Sequence, residues 1–390
     1  MAKRRRPTVS RERIKILYLI GFLSDNGGAE RFALGLATHL PRDRFDVSVC
    51  ATRGAEPLAT AALADAGIPL IGLGRKARWD VHRLGALPGI VRRHRFDVLH
   101  AHMFGSNLWG TLVGSACRVP VVIAQEHTWS YEGAPWRVWL DGNVIGRFAT
   151  RFVAVSNADA ERMVTIEHVP TRKVTMIPTA YVPQANGSTD TDLRAELGLA
   201  PDTPLYGSAS NMRPQKALEV MLEAHAKLLE TCPGAHLALA GDGASRPDVE
   251  RRIRELAIGD STHLLGVRTD VDAVIRCFDV AAMSSDFEGM PLFAFECFAN
   301  RTPLVATAVG GLPQIIDDGR TGLLVPPRRP ELLAAQIELL LGDPGLCERL
   351  TTAARAELDA YSIDAIARQW ADLYEQLLRE GAAAAGGARV

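Results

Sequence analysis

The residues best placed by type and spacing to do chemistry stand late in the chain, in Phe287-Glu288-Gly289-Met290-Pro291-Leu292-Phe293-Ala294-Phe295-Glu296. Gly289 and Pro291 end an apolar strand pattern and set up a helix start, because proline fits the first turn, where backbone N–H groups have no partner anyway. Unpaired N–H groups and the positive end of the helix dipole then point the same way, which is how helix N-termini hold phosphate. With a helix starting near Pro291, Glu296 falls roughly 8 Å along the axis, about the reach from a diphosphate to a ribose. Two readings fit this segment equally well. One is a phosphate-ribose site; the other is an ordinary strand–turn–helix connection, with one acidic residue at the turn and another on an exposed face.

Five other loops carry unusual residues. In Ser210-Asn211-Met212-Arg213-Pro214-Gln215-Lys216 two cations stand three residues apart at a strand-to-helix turn. They can clamp a diphosphate, Arg213 by its planar fork and Lys216 as a point charge. A solvated helix start is the plainer reading, yet cations there oppose the helix dipole and call for a reason. Asp25-Asn26-Gly27-Gly28-Ala29 sets paired glycines between a strand and a helix, so that the backbone at Gly28 can approach a ligand or simply turn tightly. It is not the G-x-G-x-x-G fingerprint, which disfavours a nicotinamide cofactor. His127, in Gln125-Glu126-His127-Thr128, falls where a strand ends; it can bond a hydroxyl or accept a proton, or be a buried structural histidine. Ala240-Gly241-Asp242-Gly243 and Gly266-Val267-Arg268 can frame a base or only turn the chain. His100 and His102 lack a third ligand at suitable spacing and read as structural, so no metal site is expected. No carboxylate pair is spaced for two-carboxylate glycoside hydrolysis, and neither a G-x-S-x-G elbow nor a P-loop occurs.

Something must position these loops, and the alternation of apolar runs with amphipathic segments shows what. Strand patterns at Lys15–Leu23, Asp46–Ala51, Pro69–Leu73, Asp97–His102, Pro120–Gln125, Phe152–Ser156 and Val174–Ile177 have helical stretches between them, beginning near Ala29, Pro57, Asp80, Gly105, Pro135 and Asn157. That is the signature of a doubly wound parallel sheet. The pattern breaks at the polar run 183–190 and restarts through Leu205–Ala209, His236–Ala240, His263–Leu265, Val280–Ser284, Leu304–Thr307 and Gly322–Val325. The expected organisation is a basic tail (1–13), a first α/β domain (14–183), a linker (184–200), a second α/β domain (201–361), a helix (362–380) and an unstructured small-residue tail (381–390). In open sheets of this kind ligands bind beyond the carboxyl ends of the strands, where all the loops above fall.

Composition narrows the classes. The chain has 390 residues, 47% of them hydrophobic, enough for more than one core, and its net charge of -1 argues against a polyanion binder. Only six of the 44 basic residues are lysines, and the arginines are spread along the chain, so no nucleic-acid patch is expected. The exception is Lys3-Arg4-Arg5-Arg6, a tail that reads as disordered or as a contact for anionic headgroups. No apolar run is long enough to span a bilayer and no signal peptide is evident, which places the protein in the cytosol. The six cysteines are far apart and read as buried thiols.

Taken in order, these segments resemble glycosyltransferase family 4 over nearly the whole chain. The most specific part is Glu288-x7-Glu296 with Gly289, Pro291 and Leu292, followed by residues 303–311 and by Gly319-Arg320-Thr321-Gly322; Gly27-Gly28-Ala29-Glu30, Val155-Ser156, Arg213 to Lys216 and residues 240–243 support it. The resemblance implies a GT-B architecture of two facing Rossmann-like domains and a retaining, metal-independent transferase without cofactor. Such an enzyme uses a nucleotide-diphosphate sugar as donor and a sugar or lipid-linked acceptor. It implies that Glu296 holds the donor ribose and Glu288 the transferred sugar. The N–H groups from Met290 to Phe293, with Arg213 and Lys216, would neutralise the diphosphate, while His127 touches the donor sugar and Gly28 lets the first domain approach the phosphates. The 362–380 helix, with Trp370, would cross back onto the first domain. Four departures stand out: Asn211 where arginine is common, Ala217 in place of glycine, Thr179-Ala180-Tyr181 in place of Asn-Gly-Val, and Gln314 in place of glutamate. A hydrolysing sugar-nucleotide 2-epimerase and a non-catalytic sugar-nucleotide-binding protein are the rival readings. The aromatic segment Trp129–Trp139 reads either as a helix packed on the core or as a surface for a sugar ring or lipid carrier, and with the basic tail it makes peripheral contact with the inner face of the membrane a further expectation.

Overall fold

A computed structural model describes residues 13–25, 27–76, 80–128, 134–183 and 191–387. The basic tail, Asn26, Trp129 to Gly133 and the polar break at 184–190 lie outside the described residues. Among the described residues thirteen strands form, β1 Ile14–Ile20, β2 Phe45–Ala51, β3 Leu70–Gly72, β4 Val98–His102, β5 Val121–Gln125, β6 Arg151–Ala154, β7 Val174–Met176, β8 Leu205–Ala209, β9 His236–Ala240, β10 Thr262–Gly266, β11 Val280–Met283, β12 Leu304–Thr307 and β13 Leu323–Val325. They build two sheets, in the orders β3-β2-β1-β4-β5-β6-β7 and β10-β9-β8-β11-β12-β13. The neighbouring strands run parallel, with Leu17 opposite Leu99 in the first sheet and Ala281 opposite Gly207 in the second. These are two Rossmann-like α/β arrangements, as the sequence predicts.

Why these segments become strands is plain in the second sheet. Side chains alternate sides along a strand, so a strand covered on both faces must be apolar throughout. Val280 and Ala282 of β11 and Val305 of β12 join one core with Tyr206, Leu237 and Leu239. Their neighbours Ala281, Met283, Leu304 and Ala306 join another with Phe295 and Phe298. In the first sheet Leu17, Leu19, Leu99 and Ala101 pack against Leu84, Leu87 and Val91. The chain groups into two compact units, one of Met1–Gln125, Trp139–Phe152 and Ala367–Val390, the other of Glu126–Val138 and Val153–Ile366. Trp370, fully buried, lies in the first of these with its ring centroid 4.4 Å from that of His100.

Several local expectations need correction. The last helix runs from Ile363 to Gly387, through the small residues expected to be an unstructured tail; alanine is the strongest helix former and carries the helix onward. The 184–200 linker contains a helical turn, Leu193–Glu196, which Asp192 caps by accepting the Ala195 N–H at 3.1 Å while Leu193 is fully buried. The helix expected from Asp80 begins as a 3-10 turn, Val81–Ala86, and becomes α-helical only over Leu87–His94. Pro88 has no N–H to give and would clash with the carbonyl four residues back, so one α-helix cannot run through it. Finally, the helix Pro135–Leu140 buries none of its residues, and Trp136 and Trp139 are 57% and 60% exposed. Of the two readings of the aromatic segment, the surface one fits these two side chains.

Candidate functional site

The order of the second sheet decides what meets what. β8 is flanked by β9 and β11, so the chain winds one way from β8 and then returns to wind the other way, and the loops leaving β8 and β11 diverge from a common crevice. The loop after β8 carries Arg213 to Lys216, and the loop after β11 carries Ser284 to Glu288. Lys216 Nζ accordingly lies 2.5 Å from Glu288 Oε1, although 72 positions separate the two residues. Ser285 Oγ donates to the same oxygen at 2.6 Å, and among the described residues both of these bonds fall on Oε1 and none on Oε2. Glu288 is 5% exposed and Lys216 17%. A carboxylate so far out of water needs its partner, since removing one member of such a pair leaves an uncompensated charge. Other bonds tie the two loops together: Ser284 Oγ donates to the Lys216 carbonyl at 2.9 Å and the Asp286 N–H to the Gln215 carbonyl at 2.9 Å. Thr307 Oγ1 donates to the Ser285 carbonyl at 2.7 Å. Ser208, Ser210, Lys216, Ser284, Ser285 and Phe293 line a small hollow at this end of the sheet.

The Glu288 loop has one path, and glycine makes it passable. A Cβ on Gly289 would sit 2.0 Å from the His127 carbonyl oxygen, and one on Gly310, which has φ +55°, only 1.6 Å from the Glu288 carbonyl oxygen. No side chain fits at either place. The Gly311 N–H donates to the Gly289 carbonyl at 2.8 Å and closes the arrangement. Pro291, extended at φ −75° and ψ 131°, then starts the helix Leu292–Ala299. The N–H groups of Leu292 and Phe293 in its first turn have no intrahelical acceptor. Seven of the eight residues, Leu292 to Phe298, are buried. Glu296, at 4% exposure, is buried and does not lie on the exposed face that the plainer of the two readings gave it. A buried carboxylate on an apolar helix is costly and calls for a function.

The other expected residues separate into those the fold brings here and those it does not. The His127 carbonyl abuts Gly289, and burial pushes the His127 imidazole down to about 3. The ring is therefore neutral near pH 7, offering one N–H donor and one acceptor. Arg213 is exposed at the head of the 3-10 turn Pro214–Lys216 and makes no ion pair with a described residue. Of the two cations only Lys216 meets Glu288. Next to Arg213, the Met212 N–H donates to the Asp242 carbonyl at 2.9 Å, which joins this loop to residues 240–243. Gly28, in the other unit, begins the helix Gly28–His39. The turn before it is fixed by two carboxylates that sequence reading missed. Glu56 Oε2 accepts the Asp25 N–H at 2.6 Å, and Asp25 Oδ1 accepts the Ala59 N–H at 2.8 Å. Gln314, where glutamate is frequent, uses Oε1 to accept the Asn157 N–H at 3.0 Å at the start of the helix Asn157–Thr165. His100 is bonded to Tyr374 (2.7 Å) and Gln125 (3.1 Å), as a structural histidine would be.

The chain matches the family described as Glycosyltransferase Family 4 over residues 26–184 and the one described as Glycosyl transferases group 1 over residues 189–357. An alpha-D-kanosaminyltransferase of Streptomyces kanamyceticus is 28% identical over 307 residues, covering 74% of this chain and 79% of that one. A D-inositol 3-phosphate glycosyltransferase of Nocardia farcinica is 31% identical over 312 residues, covering 74% of this chain and 67% of its own. Among solved structures, HepE of Anabaena in complex with UDP-glucose has a TM-score of 0.82 at 20% identity, over 93% of this chain and 100% of that one, a likeness of fold. The rival readings as an epimerase or a binding protein find no support among these relatives. With two family matches that together run from residue 26 to residue 357, and curated relatives named as sugar transferases, the chain belongs to the group 1 glycosyltransferases of family 4.

Proposed function

We propose that the protein transfers a sugar from a nucleoside diphosphate sugar to a hydroxyl of a sugar or lipid-linked acceptor, with retention at the anomeric carbon and without a metal. The observation that carries this reading is the buried Lys216–Glu288 pair beside the start of a helix that buries Glu296. Glu288 has one oxygen bonded to Lys216 and Ser285, and its other oxygen takes a sugar hydroxyl. Lys216 spends one of its three N–H donors on Glu288 and turns the rest to the diphosphate. With Arg213 and the N–H groups of Met290 to Phe293, it neutralises the charge that develops on the leaving group. Those groups do the work that a metal does in other transferases, so chelation leaves the rate unchanged. Glu296 holds the ribose, and His127 as a neutral ring bonds a donor-sugar hydroxyl. As the anomeric carbon–phosphate oxygen bond breaks, the acceptor oxygen bonds to the same face of that carbon. Its proton passes to the departing phosphate oxygen, and no protein nucleophile takes part.

Calorimetry tests the donor site directly. Glu296→Ala and Lys216→Ala each weaken UDP binding, and wild-type affinity in both overturns the assignment. NMR of the first-formed product tests the stereochemistry, with inversion at the anomeric carbon as the refuting result. The exposed Trp136 and Trp139 favour an acceptor at an anionic membrane surface on the cytoplasmic side, because indole rings settle at the headgroup level. Full-length protein then sediments with phosphatidylglycerol vesicles and Trp136→Ala/Trp139→Ala does not; equal sedimentation of the two removes the membrane from this reading.

A further inference from the structure

Lys216 sits on a single 3-10 turn, Pro214–Lys216, one residue before the helix Leu218–Thr231 whose first turn carries Glu219. Its separation from Glu288 therefore depends on how that helix start and the Glu288 loop are held together, to which the Ser284 and Asp286 bonds above contribute. Arg328, in the turn after β13, reaches both sides of the pair. Its Nε donates to Asp286 Oδ1 at 2.6 Å, its Nη2 bonds Asp286 Oδ2, and its Nη1 donates to Glu219 Oε1 at 2.6 Å. Asp286 is two residues before Glu288, and Glu219 three residues after Lys216. The Asp286 N–H is itself bonded to the Gln215 carbonyl. The fork thus fastens three segments that no one secondary-structure element holds. Arg328 also has φ +59°, a left-handed conformation that side chains other than glycine rarely adopt. Backbone strain at a residue with three charge-assisted bonds points to a role for its side chain.

Resting on the donor-site reading above, we propose that Arg328 is a positioning residue for nucleoside diphosphate binding. By bridging Asp286 and Glu219 it holds the Lys216 turn and the Glu288 loop at their working separation. The role is one of geometry more than of stability, because Arg328 is 55% exposed and Glu219 46%, and exposed ion pairs add little to folding. It also needs a guanidinium, since an ammonium is a point charge and cannot reach both carboxylates in a planar fork.

Arg328→Gly is the variant of choice, because glycine takes φ +59° without strain. UDP is the probe, measured by calorimetry, with donor KM and thermal melting alongside. The expected result is a rise of roughly 3- to 10-fold in the UDP Kd and the donor KM, a Tm within about 2 °C of wild type, and no rescue by Arg328→Lys. Asp286→Asn reproduces the effect, and the double variant adds little more. Unchanged Kd and KM in Arg328→Gly, full rescue by lysine, or a fall in Tm that accounts for the lost affinity each overturn the proposal. Lys216→Ala separates this from failure of the functional reading: if it loses UDP while Arg328→Gly does not, the clamp fails and the site stands, and if it keeps UDP the site itself fails.

Discussion

Both sheets reverse their winding, the first between β1 and β4 and the second between β8 and β11, and the two places are furnished in opposite ways. Over β1 and β4 themselves rings pack together: Tyr18, His100, Trp370 and Tyr374 are buried, Tyr18 and Tyr374 share a hydrogen bond at 3.0 Å, and burial raises both phenols well above their ordinary pKa. Beyond β8 and β11 a lysine and a glutamate form an ion pair, and the lysine lines a small hollow with four serines. What the chain puts beside each reversal decides whether it becomes core or site. A helix from the C-terminal end of the chain supplies two of the four rings that fill the first, whereas the second is left to polar groups that a ligand can complete.

If that contrast is right, substitutions in the ring cluster act on stability and substitutions at the charged pair act on chemistry. Trp370→Ala, at a fully buried position, is expected to cost about 3–5 kcal/mol, read as a fall in the chemical denaturation midpoint. Ligand affinity measured well below the melting range changes little; a Trp370 variant of wild-type stability would break the comparison on its first side. Glu288→Gln keeps the shape and removes the charge. It is expected to lower kcat/KM by about 100-fold with a smaller effect on folding, and near-normal turnover in steady-state assays would break the second side.

How much of this was legible beforehand follows from range. β8, β9 and β12 have the bounds read from sequence, because period-2 burial on two faces is written in the order of residues. Ala281 and Ala282 point into different cores, yet both had to be small and apolar, and that much is local. Lys216 and Glu288 were each legible as oddities, but their meeting was not, for it depends on strand order and not on any local pattern. The same holds for Arg328, which reads as one more surface arginine until its distances to Asp286 and Glu219 are known. Glu296 shows a different limit, for sequence alone left its burial open. In a helix of eight residues an acidic side chain is naturally assigned to the solvent face, and here both faces are buried.

Acid titration sharpens the comparison, because the charged unit also contains a histidine cluster at the other pole of its sheet. His225 is buried with Nε2 2.8 Å from Ser261 Oγ, and His236 Nδ1 lies 2.9 Å from His263 Nε2. Burial pushes His225 down to about 4 and lowers His236 and His263 as well. A base with a depressed pKa in the native state binds protons more readily when unfolded. Its contribution is therefore complete above the unfolded value near 6.5 and is lost as pH falls from there toward 4. For His225 this is on the order of 2 kcal/mol. Denaturation midpoints at pH 7 and pH 4.5 test it: His225→Gln should flatten the decline, and a wild-type slope in that variant would remove His225 as its source.

The smallest expected effect concerns the residue after Lys216. Ala217 is fully buried at φ 45° and ψ 45°, left-handed backbone that costs an alanine roughly 1–2 kcal/mol relative to its usual regions. The conformation falls where the chain leaves the turn Pro214–Lys216 and enters the helix Leu218–Thr231 within one residue, next to the Lys216 carbonyl that accepts from Ser284 Oγ. Glycine would take that conformation freely, while giving back part of the gain through a more flexible unfolded chain. Ala217→Gly is therefore expected to stabilise by less than about 1 kcal/mol and to leave UDP affinity within about twofold. Differential scanning calorimetry beside a UDP titration reads both numbers. A loss of stability would mean that contacts of the Ala217 methyl group outweigh its backbone strain. A large change in affinity with unchanged stability would mean that this strain itself sets the Lys216–Glu288 distance, a task otherwise assigned to Arg328.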